Sequence, residues 1–425
     1  MPDDARDTMP VLPSAPPSAP APAPAALTSL GGLALPILVL TLGHVLSNAV
    51  RTLPAIAADV LGHDLGVTPQ GLASLTGAFN FSFALAQVPI GVALDRFGVR
   101  RVSLTLFWIT TAGAAIATLA GGPAGFLLAQ LVLGTGCAGM MICPITFAAK
   151  RLDATRFGLW SGLIQAFGNS GMLLSASPLA FLVETTGWRA GYGAATVFGL
   201  TALLLVALLV RDAPPPGPHA SLARDAREVL RLTIARRLRG VMAIAFTSFA
   251  AVISVRGLWG GPWLMQGKGF PRIEAGNILL LATTALVFGP AFWGVVDRRF
   301  GHRRLILLGG HLLAAISLAL VALGGPGGPF GALPPAWDAM TLLAFGLFIS
   351  VQPLTFTLTR AVVPPEQVGK AMSAVNLSYF AGAAVLQAAS GPVVLWAGIG
   401  AGLLFFAALL VVGTLLFLAL DKRQA

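Results

Sequence analysis

The segment Asp95-Arg96-Phe97-Gly98-Val99-Arg100-Arg101 returns about 200 residues later as Asp297-Arg298-Arg299-Phe300-Gly301-His302-Arg303-Arg304. Each copy lies between two long apolar runs. A charged loop duplicated at half the chain length, in an otherwise apolar sequence, marks a membrane protein built from two similar halves. Two halves able to rock against each other suit transport.

Composition agrees. Of 425 residues, 56% are hydrophobic and 10% charged, against roughly 25% charged in soluble domains. Apolar runs of about 20 residues, enough to cross a hydrocarbon core of roughly 30 Å, recur from Leu30 to Leu420. Lipid leaves only helices and closed barrels as spanning structures. No alternating ten-residue strands occur, so the expectation is an all-α polytopic membrane protein. The net charge of +11 follows membrane topology, and no nucleic-acid partner is expected. Cys137 and Cys143 share one apolar run and read as packing residues, not as a disulfide or metal site. No metal or cofactor is expected.

Residues 1–27 are rich in Pro, Ala and Ser and lack the basic start and apolar core of a signal peptide. They read as a disordered cytoplasmic tail. Twelve spans follow, at 28–53, 70–94, 102–121, 124–149, 157–183 and 189–210, then 239–264, 275–296, 305–324, 337–360, 368–392 and 394–420. They form two six-helix bundles, 28–211 and 239–420, joined by a cytoplasmic linker at 212–238 and followed by a tail at 421–425. The linker, with Pro214-Pro215-Pro216 and five arginines between 224 and 237, reads as solvated with a basic surface helix. With both termini inside, twenty-two Lys and Arg fall on the cytoplasmic side and three (Arg189, Lys268 and Arg272) outside. That bias orients the chain in a bacterial inner membrane.

The duplication runs beyond the loop. Val50-Arg51-Thr52-Leu53 in span 1 matches Val255-Arg256-Gly257-Leu258 in span 7. Pro144-Ile145-Thr146-Phe147 with Arg151 matches Pro353-Leu354-Thr355-Phe356 with Arg360. Gly158, Gln165 and Gly171 in span 5 match Gly369, Asn376 and Gly382 in span 11. Four matches in the same order place the halves in one orientation, related by an axis along the membrane normal.

The stretch Gly91–Arg101 resembles the loop 2–3 signature of the major facilitator superfamily, and 294–304 its weaker second copy. The resemblance implies a central cavity between the halves, alternating access and no chemistry on the solute. It also places Asp95 against the start of span 11, near Val368, and Asp297 against the start of span 5, near Phe157. A carboxylate at a helix N-terminus is electrostatically favourable, and Gly91 and Gly98 permit close packing and a tight turn. Gly91, Asp95, Arg96, Gly98, Arg100, Arg101, Asp297, Arg298, Gly301, Arg303 and Arg304 are thus the gating candidates. The competing reading, that these cations only set topology, suits Arg100, Arg101, Arg303 and Arg304 equally well.

Charges inside spans mark a pathway by default. Arg51 and Arg256 are equivalent across the repeat, and guanidinium forks suit carboxylate or phosphate. Interfacial snorkelling is the alternative for each. His44, Asn48 and Arg51 form one helical stripe, and His44 is the proton-coupling candidate. Asn80 shares a face with Gln87, and Gln165 with Asn169 and Asn376 complete the polar set. Trp259 and Trp263 line the outer end of span 7 or anchor it at the interface. No acid sits in mid-span; many sugar symporters and cation-drug antiporters of the superfamily it resembles rely on one, so the resemblance weakens both readings.

The expectation is a secondary transporter in the lipid bilayer, a monomer, moving a small organic or inorganic anion by proton symport or against a counter-anion. The alternatives are efflux of amphipathic compounds and a membrane sensor that moves nothing. No nucleophile–base or metal constellation suggests an enzyme.

Overall fold

The computed structural model describes residues 30–67, 69–176, 178–212 and 222–421. The predicted N-terminal tail, the C-terminal tail apart from Asp421, and the proline-rich part of the linker lie outside the described residues. Among those described there is helix and no strand. Ten helical stretches are long and apolar enough to cross a membrane. Gly398 divides the last of them, Pro365–Asp421, into two helices. The pair Ala154–Ala176 and Pro178–Thr186 occupies the predicted fifth span. This architecture fits the twelve-span reading, and the protein is an integral membrane protein.

Span 1 is Leu30–Ile56, span 2 Pro69–Phe97, span 3 Val99–Leu119, span 4 Pro123–Arg151 and span 6 Trp188–Leu209. Span 7 runs over 239–267, span 8 is Arg272–Phe300, span 9 Arg303–Leu323 and span 10 Pro335–Val362. The turn between spans 11 and 12 sits about five residues later than predicted. Pro392 does not end span 11: the helix runs through it, as helices in lipid tolerate. The turns obey the repeat. Gly98 (φ 79°) and Gly301 (φ 69°) end spans 2 and 8, and Gly187 (φ 87°) and Gly398 (φ 84°) precede spans 6 and 12. All four need the left-handed backbone that glycine adopts freely.

Glycine also sets the packing. A Cβ on Gly171 would overlap the Val45 carbonyl, and one on Gly382 the Phe246 carbonyl, so spans 1 and 5 touch as spans 7 and 11 do. Small residues let helix backbones approach where lipid supplies no hydrophobic drive. Between the halves, Gly91 of span 2 abuts Ser373 of span 11, and its repeat-mate Gly294 of span 8 abuts Leu159 of span 5.

The linker differs from its expected solvated form. Helix Leu222–Thr233 buries Val229, Leu232 and Asp225 and packs against spans 2 and 11. Its hydrophobic stripe was masked in the sequence by the arginines on its other face. Trp263 is also internal and no interfacial anchor: it is 4% exposed and donates to Asp338, which pairs with Lys268 at 3.0 Å.

Gly382→Ala should lower the thermal unfolding midpoint in detergent, by the roughly 1–3 kcal/mol typical of overpacking. Gly276→Ala, where a Cβ meets nothing within 4 Å, should leave it unchanged.

Candidate functional site

Spans from both halves enclose a cavity of about 370 Å³. Span 1 contributes His44, Asn48 and Arg51, span 5 Gln165, Asn169 and Met172, span 7 Arg256, span 10 Gln352, and span 11 Asn376, Tyr379 and Phe380. The Arg51 guanidinium lies 4.7 Å from the Phe83 ring centre and 5.4 Å from those of Phe79 and Phe380. Aromatic faces attract a cation without neutralising it. Phe380 belongs to the opposite half. Arg256 likewise reaches across, its Nη1 donating to Met172 Sδ at 2.7 Å; a thioether is a weak acceptor. Arg256 sits in a π-helical turn, Val255–Trp259, followed by a second at Trp263–Gly267. Such turns are rare and favour functional sites.

The polar stripe of span 1 faces span 5. Asn48 donates to His44 Nε2 at 3.1 Å and to the Gly168 carbonyl at 3.1 Å, while Asn169 Oδ1 lies 3.4 Å from His44 Nε2. Asn169 also donates across the seam to the Leu286 carbonyl at 3.1 Å. Asn376 donates across it to Gln87 Oε1 at 2.8 Å, and Gln87 donates in turn to the Ala138 carbonyl. Three buried polar atoms at the cavity lack a protein partner: Arg51 Nε, Gln165 Oε1 and Gln352 Nε2. No Asp or Glu lines the cavity among the described residues.

At the arginine-rich end the halves are pinned together. Asp95 accepts from the backbone N–H of Gly369 at 2.9 Å and of Lys370 at 2.8 Å, and from Lys150 Nζ at 3.0 Å. Its carboxylate thus caps the first turn of span 11. Lys370 Nζ continues to Asp225 at 2.8 Å and Glu228 at 2.7 Å of the linker helix, and Arg96 approaches Asp225 at 3.9 Å. Asp297 packs on Gly158 of span 5 so closely that a Cβ there would overlap its Oδ2. Its hydrogen bonds come from Arg303 Nε, at 2.9 and 3.2 Å, and Arg303 donates to the Ala154 carbonyl at 2.6 Å.

The family model described as Major Facilitator Superfamily matches residues 40–386 and 262–425. The chain belongs to that superfamily. It is 23% identical to "Probable sulfoacetate transporter SauU" of Cupriavidus necator over 76% of this chain and 77% of the other. It is 25% identical to the "Tetracenomycin C resistance and export protein" of Streptomyces glaucescens over 78% and 68%. Its fold matches the crystal structure of the superfamily transporter FucP in the outward conformation, with a TM-score of 0.76 at 17% identity over 92% of this chain and 99% of that one.

For this superfamily member, the structure gathers Arg51, Arg256, Asn48, His44, Gln165 and Asn376 around one cavity. Asn80 is exposed and stands outside the lining; the face that buries Gln87 has left the packed interior two turns away. Arg100 donates to the Ala207 carbonyl at 2.9 Å, Arg304 pairs with Asp421 at 3.0 Å, and Arg101 and Arg298 are exposed. The aromatic cage, Tyr379, Gln352, Lys150 and the linker acids escaped the sequence reading. Phenylalanine carries no pattern that separates cavity from lipid, and the pairing of Lys370 with Asp225 needs the tertiary path.

Asp95→Asn should weaken hydrogen bonds worth roughly 1.5–3 kcal/mol each. Hydrogen–deuterium exchange of a peptide covering 365–375 should then quicken about tenfold or more, while Asp297→Asn should leave that peptide unaffected. Unchanged exchange in Asp95→Asn would remove its capping role.

Proposed function

We propose that the protein is a secondary transporter of a small anion, working by alternating access of residues 28–211 against 239–420. One observation carries the reading: two arginines, one from each half, share a cavity that no carboxylate among the described residues lines. A buried cation with only aromatic and thioether neighbours is costly, and an anionic solute would supply the missing charge and hydrogen-bond acceptors. Gln165, Asn376 and Asn48 lie where they would orient it. The similarity to a protein named for sulfoacetate supports this chemistry. The similarity to a protein named for tetracenomycin C resistance and export supports the competing reading, efflux of an amphipathic compound.

Asp95 and Asp297 act as latches on the arginine-rich side, which is the cytoplasmic face of a bacterial inner membrane by the distribution of Lys and Arg. Both termini are cytoplasmic and the transporter is a monomer. His44, bonded to Asn48 and beside Asn169 of span 5, is the candidate proton carrier; exchange against a counter-anion needs none.

In proteoliposomes, Arg51→Ala and Arg256→Ala should each reduce kcat/KM for a transported anion by about tenfold or more, the cost of a charged hydrogen bond. The double variant should be inactive. Full uptake by the double variant would sink the anion reading and favour efflux of uncharged or amphipathic compounds. His44→Gln should keep uptake down a solute gradient but lose its acceleration by an inward proton gradient; undiminished acceleration would assign coupling elsewhere.

A further inference from the structure

A second cavity, of about 280 Å³, lies in the seam between the halves at the arginine-rich end. Lys150 and Phe157 line it from the first half, and Arg303, Thr357 and Arg360 from the second. Three cations therefore meet in one chamber. Two have carboxylate partners: Lys150 binds Asp95 at 3.0 Å and Arg303 binds Asp297 at 2.9 Å. Arg360 is different. Its guanidinium lies 5.1 Å from the Phe157 ring centre and donates to the Leu152 carbonyl. Among the described residues no carboxylate forms an ion pair with it. Its repeat-mate Arg151 has one, Asp212 at 3.0 Å. One turn before Arg360, Thr357 is 2% exposed, and its hydroxyl has no hydrogen-bond partner. Residues three apart share a helix face, so the unpaired cation and the unpaired hydroxyl serve the same chamber.

We propose that this chamber binds a small oxyanion of phosphate- or sulfate-like chemistry, and that the bound anion holds the two halves together on this side. Guanidinium and hydroxyl are charge-assisted and neutral donors suited to such a group, and Lys150 and Arg303 add positive potential. Asp153, beside Leu152, attracts Arg360 without forming an ion pair with it, and the anion supplies the direct contact that Arg360 lacks. Because both halves form the wall, opening the seam takes the site apart. A ligand that binds only one of two conformations draws the population toward it. The anion is thus a brake on the transport cycle and not its cargo, and the site is independent of Arg51 and Arg256.

The test uses the full chain carrying Arg51→Gln and Arg256→Gln, purified in detergent and titrated with inorganic phosphate against chloride at equal ionic strength. Phosphate should raise the unfolding midpoint. Adding Arg360→Gln should weaken its apparent affinity about tenfold or more, as loss of a charged hydrogen bond does, and Thr357→Val should weaken it less. Repeating the titration in phosphatidylcholine nanodiscs, with and without phosphatidylglycerol, separates the sources. A phosphate effect lost on adding phosphatidylglycerol assigns the site to a lipid headgroup, and one that persists assigns it to the free anion. No stabilisation beyond chloride, or stabilisation unchanged by both Arg360→Gln and Thr357→Val, would overturn the proposal. Since the central arginines are absent throughout, that failure would leave the anion-transport reading standing.

Discussion

A single carboxylate, that of Asp95, accepts two backbone N–H groups at the start of span 11 and a lysine from span 4. The first helical N–H groups have no partner inside their own helix, and the helix dipole adds positive potential there. Asp95 satisfies span 11 from the other half of the molecule. The contact is therefore strong while the seam is shut and vanishes when it opens. Span 2 can approach closely enough to deliver it only because Gly91 meets Ser373, and Gly369 meets Asp95, without side chains in the way.

The two copies of the loop have diverged in how they hold their acid. Asp95 is shared between halves, and Lys370, beside its backbone partner, passes the connection on to the linker helix. Asp297 is held by Arg303 of its own loop and touches the facing half through packing on Gly158. A pseudo-symmetric fold thus has an asymmetric seam. One side is tied through charge to the linker, the other through shape and the Arg303 contact with the Ala154 carbonyl.

Much of this was legible in the sequence because duplication carries register. Once the loops were aligned, Arg51 fell opposite Arg256 and Gly158 opposite Gly369, and the structure puts both arginines on one cavity and each glycine against the acid of the facing loop. Helix existence followed from apolar length, since lipid permits little else. What stayed hidden were features that break the repeat or cross the seam. Asn80 looked equivalent to Gln87 by periodicity, yet periodicity does not say where along a helix the packed face ends. The linker helix looked basic because its arginines outnumber its acids, whereas Asp225 and Glu228 make its contact with Lys370. The aromatic cage of Arg51 draws Phe79 and Phe83 from one half and Phe380 from the other, and no local spacing announces that.

The π-helical stretches of span 7 have no counterpart in span 1, where the backbone around Arg51 is plain α-helix. A π turn holds one residue more than an α turn needs. Relaxing one such turn to α geometry would advance everything beyond it by about 1.5 Å and rotate it by roughly 100°. The two cavity arginines are therefore mounted differently: one on a stiff rod, the other on a coil with slack wound into it. An anion bound as proposed would pull on one fixed jaw and one that can turn.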